Sequence, residues 1–225
     1  MQLAWFGILF SACLLIFAGC EESTQEITTE ATMPEKKQKL LENLTLQANN
    51  GETLVINQKG QKGQNEFAFL ESKSSVLEDL SVTDVNGVKS IKILVFFTTW
   101  CDPCKGILPH LENLKNQFGD KIAFFGIPID DLVGEMENFK GAVQVFSEEN
   151  MLNIPLILDE NRVELFRTLG GIEGVPLIAM YRENGEYIIH YLGAVPEEMI
   201  EFDLSQNLQN LEERQELQNF KEKVQ

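Results

Sequence analysis

Two cysteines separated by two residues are the side chains of this sequence best suited to chemistry. Cys101 and Cys104 directly follow the run IKILVFF at 91–97, whose near-continuous apolar character predicts a strand buried on both faces. Beyond the pair, apolar residues recur at spacings of three and four until Gly119, which predicts a helix that ends there. The pair is therefore expected where a buried strand leads into a helix.

This placement favours thiol chemistry. In the first turn of a helix, Cys101 faces unpaired backbone N–H groups and the positive end of the helix dipole, and both stabilise a thiolate. Cys104 lies three residues on, on the same helix face, near enough to attack a mixed disulfide. Pro103 removes no intrahelical hydrogen bond at this position. We predict a catalytic dithiol of Cys101 and Cys104, with Trp100 shielding one side of it.

Three other interpretations of the pair remain. The cysteines could form an inert disulfide or stay as buried thiols. They could be half of a zinc site, but zinc needs two more ligands, and besides carboxylates only His110 and His190 are available. His110 lies roughly 180° around an ideal helix from Cys101, so we expect no metal site at the pair. We also expect no cofactor. A peroxide-reducing cysteine is the third, because Thr98 lies three residues before Cys101.

Composition restricts the functional classes. The chain has 225 residues, of which 44% are hydrophobic, and this fits a globular protein. Its 18 basic and 35 acidic residues give a net charge of −17. This charge repels phosphate backbones and argues against nucleic-acid binding. The same charge is repelled by anionic lipid, so any membrane attachment must be apolar or covalent. Four cysteines are too few for a disulfide framework in a chain of this length.

The N-terminal segment predicts export. Residues 1–19 are apolar and uncharged, which suits a secretory signal peptide. The run FAGC that ends at Cys20 resembles a bacterial lipobox, in which the cysteine is lipidated after cleavage. It departs from that pattern at Phe17, where Leu is usual, and no basic residue precedes Lys36. We expect a lipidated Cys20; the alternatives are an uncleaved transmembrane anchor and a secreted protein. All three place the folded part outside the cytoplasm.

A linker and one α/β domain are expected after Cys20. Residues 20–39 are polar and lack apolar periodicity, which predicts a flexible linker with a reach of roughly 25 Å. Residues 40–225 alternate between strand and helix patterns. Strands are predicted at 53–56, 67–70, 121–129, 154–158, 177–181 and 187–192, and helices at 132–146, 161–169 and 196–224. The stripe Ile200, Leu204, Leu208 and Leu211 in the last helix favours core packing over a partner interface.

The sequence resembles the thioredoxin superfamily, and most nearly its membrane-anchored TlpA/ResA-like proteins. The resemblance rests on the buried strand that ends at Phe97, the segment WCDPCK at 100–105, Pro109 within the next helix, and the Gly-Val-Pro at 174–176 before a strand. It implies a thioredoxin-like α/β fold, in which a central mixed β-sheet is flanked by helices. It also implies an N-terminal β-hairpin and an inserted strand–helix unit around 126–158.

The resemblance also implies a substrate-binding loop. In that family the proline that matches Pro176 follows a cis peptide bond and packs beside the dithiol. The preceding residue, here Val175, offers backbone hydrogen bonds to a bound substrate chain. Together with Trp100, Val175 and Pro176 are therefore the expected substrate-binding residues.

Two family positions differ in this sequence. Val95 stands where many members carry a buried Asp or Asn, and Ile107 stands where TlpA/ResA-like proteins often carry Glu. Because such acids move protons to and from the buried thiol, the proton acceptor of Cys104 stays unassigned. Glu173 is one candidate, and a surface carboxylate is the alternative interpretation of it.

These observations predict a thiol-disulfide oxidoreductase that reduces protein disulfides outside the cytoplasm. Asp102 beside Cys101 disfavours a thiolate and so argues against a strong oxidant. The expected partners are protein thiols or disulfides, a membrane reached through the lipid anchor, and a membrane electron donor. The expected location is the periplasmic side of a bacterial membrane or the cell surface. A disulfide oxidase or isomerase is the alternative, as is a non-catalytic protein that carries metal or acts as an adaptor.

Overall fold

The computed structural model describes residues 41–59 and 74–224. All of them belong to the unit Lys39–Gln225. The predicted signal peptide, Cys20, the linker and the predicted strand at 67–70 lie outside the described residues.

A four-stranded mixed sheet forms the centre of the domain. Its strands are β4 (Ile91–Phe97), β5 (Ile122–Pro128), β6 (Leu177–Tyr181) and β7 (Tyr187–Leu192), in the order β5-β4-β6-β7. β4 pairs in parallel with β5 and antiparallel with β6, and β6 pairs antiparallel with β7. Every residue of β4 is buried, as its apolar run predicts, because both faces of the sheet are covered.

A second, three-stranded antiparallel sheet comes from the N-terminal part of the described chain. It contains β1 (Leu44–Gln47), β2 (Thr53–Gln58) and β3 (Leu80–Asp84), in the order β1-β2-β3. β1 and β2 form the expected hairpin, with Gly51 at a φ of 89° in the turn. The sequence patterns did not predict β1 or β3.

Six α-helices and a short 3-10 helix surround the sheets in the described residues. They are α1 (Ser74–Asp79), α2 (Asp102–Phe118), the 3-10 helix Gly119–Lys121, α3 (Asp130–Val133), α4 (Phe139–Glu149), α5 (Asn161–Thr168) and α6 (Glu197–Val224). α2 ends at Gly119, whose positive φ of 57° suits glycine, as predicted. Pro109 lies within α2.

The prediction of one helix at 132–146 is wrong. α3 ends at Val133, because Gly134 adopts an extended conformation with a φ of −162°. α4 begins only at Phe139, where the Asn138 side chain accepts a hydrogen bond of 3.2 Å from the Gly141 N–H. A Cβ at Gly141 would lie 2.3 Å from Asn138 Nδ2, so this N-terminal cap requires glycine there.

The predicted strand at 154–158 is reduced to two isolated bridges. Leu156 bridges Gly126 in parallel, and Ile157 bridges Ala48 in antiparallel orientation. Pro155 has no N–H to donate, which prevents a continuous ladder through this segment. The segment still closes against β5, since the Gly126 N–H donates to the Pro155 carbonyl at 2.8 Å.

Two apolar cores lie on opposite faces of the sheet. Alternate residues of β4 divide between them: Ile93, Val95 and Phe97 join the core with α2 and α6, whereas Leu94 and Phe96 join the core with the three-stranded sheet and α5. The α6 residues of the first core are Ile200, Leu204 and Leu208, which is the core packing that the sequence favoured. Within residues 41–59 and 74–224, no helix has the length and apolarity to cross a bilayer.

Candidate active site

Cys101 and Cys104 form a disulfide at the start of α2, with an S–S distance of 2.09 Å. Cys101 is the N-cap residue of the helix, and its Sγ accepts a hydrogen bond of 3.1 Å from the Cys104 N–H. Cys104 is fully buried, whereas Cys101 is 5% exposed. The junction predicted from the sequence therefore holds the pair, with Cys101 as the more accessible sulfur.

β4 and β5 together position the loop that precedes the disulfide. The Ile129 N–H donates to the Phe97 carbonyl at 2.9 Å, which continues the β4–β5 pairing past the end of β5. The Cys101 N–H donates to the Thr98 carbonyl at 3.2 Å and closes a tight turn. These bonds bring Cys101 to the carboxyl edge of the sheet, where the N-terminus of α2 begins.

The loop before β6 meets the disulfide from the opposite side. The Val175–Pro176 peptide bond is cis, as the family resemblance implied. The Val175 carbonyl oxygen lies 3.6 Å from Cys101 Sγ. Pro176 is buried, and its carbonyl accepts a hydrogen bond of 2.8 Å from the Gly193 N–H. The fold thus brings Val175 to within contact distance of Cys101, although the two residues are far apart in sequence.

Trp100 lies next to the disulfide in sequence and is 62% exposed. It therefore presents a large amphipathic ring to solvent from the residue that precedes Cys101. A surface of this kind suits contact with another molecule, and aromatic rings are common at such positions.

A buried carboxylate that sequence reasoning missed lies behind the same loop. Asp130, at the start of α3, is only 2% exposed. Its Oδ1 accepts two hydrogen bonds from Thr99, one from the backbone N–H at 2.8 Å and one from Oγ1 at 2.6 Å. One signal was available, since Asp130 lies two residues after the end of β5, which pairs in parallel with β4, and such strand ends meet at one edge of a sheet.

The other acid–base positions carry no group beside the disulfide. Val95 and Ile107, the two positions where the sequence differs from the pattern it resembles, are both buried in the apolar core. Glu173 is exposed, which fits the interpretation of a surface carboxylate. His110 Nδ1 lies 2.6 Å from Glu197 Oε2, on the side of α2 that faces α6. In the described parts of the chain, no three His, Cys, Asp or Glu side chains are grouped to hold a metal ion.

An open groove of about 760 Å³ runs beside the disulfide loop. Thr99 and Lys105 form one side, and α4 residues such as Gln144, Val145 and Glu148 form the other. Lys105 also pairs with the exposed Asp102 at 3.1 Å. The segment that carries α4 therefore shapes the surface next to the disulfide.

Residues 64–197, more than half of the chain, match the model of the AhpC/TSA family. The chain belongs to the AhpC/TSA family. Its fold is thioredoxin-like: a crystal structure from Chlorobium tepidum that carries the name thiol:disulfide interchange protein DsbE aligns with a TM-score of 0.50. That alignment has 15% identity and covers 76% of this chain and 94% of the other.

Two curated relatives extend the comparison within this AhpC/TSA assignment. Thioredoxin-like protein YneN of Bacillus subtilis is 28% identical over 86 residues, which cover 38% of this chain and 47% of YneN. Thiol-disulfide oxidoreductase ResA of Halalkalibacterium halodurans is 26% identical over 134 residues, which cover 59% of this chain and 66% of ResA. The chain thus spans between about half and two thirds of the length of these relatives.

Proposed function

We propose that this protein is a thiol-disulfide oxidoreductase that uses Cys101 and Cys104 to exchange electrons with protein disulfides. The observation that carries the proposal is the bonded pair at the N-terminus of α2, with one partly accessible and one fully buried sulfur. The helix N-terminus stabilises a thiolate on the accessible cysteine, and the buried cysteine is placed to resolve a mixed disulfide. The name of the relative ResA supports the same reaction class.

In the reducing direction, the reaction starts from the dithiol. The Cys101 thiolate attacks one sulfur of a substrate disulfide, forms a mixed disulfide and releases the first substrate thiolate, which takes up a proton. Cys104, after losing its proton, attacks Cys101 Sγ and displaces the second substrate thiolate. Two electrons pass to the substrate, and the Cys101–Cys104 disulfide forms. A dithiol donor must then reduce this disulfide for another turnover.

Val175, Pro176 and Trp100 are proposed to hold the substrate chain. The Val175 carbonyl oxygen is 3.6 Å from Cys101 Sγ, so an extended chain that pairs with this backbone would have its cysteine beside Cys101. The exposed ring of Trp100 adds apolar contact area on the substrate side. Because backbone pairing carries little side-chain information, these contacts favour a range of protein substrates.

We propose the reducing direction over oxidation or isomerisation. Strong disulfide oxidants have an unusually stable reduced form, which requires a strongly stabilised thiolate. Here the exposed Asp102 directly follows Cys101, and the buried Asp130 contacts the same loop. Negative charge at both positions disfavours the thiolate and so supports a reductant.

The proposed location is the periplasmic side of a bacterial membrane, or the cell surface, with Cys20 as the lipid-anchored N-terminus. The support is the FAGC run and the uncharged apolar segment before it. A tether of this kind would bring the domain to a membrane electron donor. Mass spectrometry of the native protein should find an N-terminal acylated Cys20, and Cys20→Ala should leave an unprocessed precursor. An intact Met1 without an acyl chain would instead favour a transmembrane anchor.

Insulin reduction with a small dithiol as electron source tests the activity. The wild-type protein should accelerate insulin reduction, and both Cys101→Ser and Cys104→Ser should abolish the acceleration. Glu173→Gln is a suitable control, because this exposed side chain is predicted to leave the rate unchanged. If the wild type gives no acceleration although its disulfide is reduced by the dithiol, it is not a protein disulfide reductase.

A further inference from the structure

We propose that Asp130 is a positioning residue for the dithiol, and that it makes the pair a stronger reductant. Asp130 fixes the loop before Cys101 through Thr99, and its charge shifts the thiol–disulfide equilibrium toward the disulfide. This inference rests on the proposed oxidoreductase function and adds a determinant of its direction.

The contacts of Asp130 connect it to the disulfide through a short rigid path. Both hydrogen bonds to Oδ1 come from Thr99, which lies two residues before Cys101. At most about 3.6 Å of chain per residue separates the two, so Oδ1 lies within about 12 Å of the Cys101 Cα. The bond between the Cys101 N–H and the Thr98 carbonyl holds the same loop closed. A change at Asp130 should therefore alter both the position of the loop that carries Cys101 and the electrostatic potential at Cys101.

No hydrogen bond among the described residues accounts for the burial of the second carboxylate oxygen of Asp130. Oδ2 is buried and has no hydrogen-bond partner among the described residues. The nearby buried guanidinium, Arg162, pairs through Nη2 with Asp131 Oδ2 at 2.5 Å and stacks on the Phe139 ring. A buried carboxylate that is only half satisfied costs stability, and such groups are often retained for function.

Other charges face the same region and must be compared with Asp130. Asp102 and Lys105 form an exposed pair in the first turn of α2, so solvent makes the effect of the Asp102 charge on the Cys101 thiolate smaller than that of the buried Asp130. Asp131 is neutralised by Arg162. Glu148 lines the open groove and contacts solvent. Among these charged groups, it is Asp130 that is buried, contacts the disulfide loop and has no paired cation in the described residues.

The direction of the effect follows from charge. Reduction of the disulfide generates a Cys101 thiol that ionises, and a neighbouring carboxylate opposes that ionisation. Neutralising Asp130 should thus stabilise the reduced form and make the pair a weaker reductant. For a separation of about 12 Å and an effective dielectric constant of about 20, the interaction with a fully ionised Cys101 corresponds to about tenfold, so with partial ionisation the equilibrium should shift roughly threefold to tenfold.

The test is the equilibrium constant of the purified protein with glutathione, measured from the fraction oxidised at neutral pH. Asp130→Asn keeps an oxygen that can accept from Thr99 but removes the charge. It should shift the equilibrium constant threefold to tenfold toward the reduced protein. A tenfold shift corresponds to about 30 mV in reduction potential. If Asp130→Asn does not fold, Asp130→Ser is the second neutral variant, with the same expected direction.

Asp131→Asn is the matched control. It removes the neighbouring carboxylate and the ion pair with Arg162, so it should lower the melting temperature and leave the equilibrium constant unchanged. Thr99→Val removes the Oγ1 hydrogen bond but keeps the backbone hydrogen bond and the Asp130 charge, so it should shift the constant less than Asp130→Asn does. The inference is overturned if Asp130→Asn lowers stability alone, or if Asp131→Asn shifts the constant equally. A wild-type pair that does not exchange with glutathione would instead refute the proposed function.

Discussion

Gly126 is the position where one added methyl group should have the clearest structural cost. It lies in β5 opposite Val95, and the segment that carries Leu156 closes directly over it. A Cβ at Gly126 would lie 2.6 Å from Leu156 Cδ2, 3.2 Å from Phe97 Cε1 and 3.3 Å from Ile154 Cδ1. All three side chains are buried, so the methyl group must displace packed core atoms.

The expected cost of Gly126→Ala follows from these distances. Overpacking of a core by one methyl group costs about 1–3 kcal/mol, because side chains must leave their preferred rotamers. Loss of glycine freedom in the unfolded chain offsets about 0.4–1 kcal/mol of this. The net loss of about 1–2 kcal/mol should lower the melting temperature by about 2–8 °C for a domain of this size.

Thermal unfolding followed by circular dichroism measures the effect. Gly106→Ala is the matched control, because Gly106 lies exposed within α2 and a Cβ there meets no atom within 4 Å. That substitution should stabilise the protein by about 0.5–1 kcal/mol through helix propensity. The expected packing cost at Gly126 is refuted if Gly126→Ala is as stable as the wild type, or if both alanine variants shift the melting temperature in the same direction.

Two further predictions concern ionisable groups. Burial raises the pKa of Tyr181, Tyr187 and Tyr191, the three tyrosines of the chain, above their ordinary value of 10.0. Since the unfolded chain then releases these protons first, stability should fall as pH rises past about 10. Because Tyr181 is fully buried, its tyrosinate absorbance should appear only with unfolding, and ionisation of all three tyrosines at native ellipticity would contradict this. Asp131→Ala should cost about 3 kcal/mol in urea unfolding, because it leaves Arg162 buried and unpaired, and a cost near zero would contradict that.

The sequence predicted the elements that position the disulfide because their signals are strong and local. The run IKILVFF is buried on both faces and became β4. Gly119 ended α2, and the Cys-x-x-Cys pair lies at the helix start. Each of these features is determined by residues close together in the chain, so periodicity and end signals suffice.

The missed features depend on tertiary contacts. β1 and β3 are four and five residues long, and each gains its pairing from β2 rather than from its own pattern. Asp130 was missed because its place after a predicted strand does not by itself distinguish a buried carboxylate from an exposed one. Only the parallel pairing of β5 with β4 brings its carboxylate to Thr99.

The same limit applies to the split between α3 and α4. The apolar residues at 132–146 fit one helical period, so the pattern predicts one helix. The break at Gly134 and the new cap at Asn138 depend on backbone conformations that the period does not report. Both signals, a glycine and a capping asparagine, were present in the sequence and carried more weight than the periodicity.

Trapping of mixed disulfides distinguishes the attacking cysteine of the pair from the resolving one. Reduced Cys104→Ser and Cys101→Ser proteins are incubated with a disulfide-bonded protein, and the adducts are identified by non-reducing electrophoresis and mass spectrometry. Because Cys101 is the more accessible sulfur at the helix N-terminus, Cys104→Ser should accumulate an adduct through Cys101, whereas Cys101→Ser should accumulate few or none. Adducts mainly through Cys104, or adducts with neither variant, would contradict a catalytic dithiol with Cys101 as its attacking thiol.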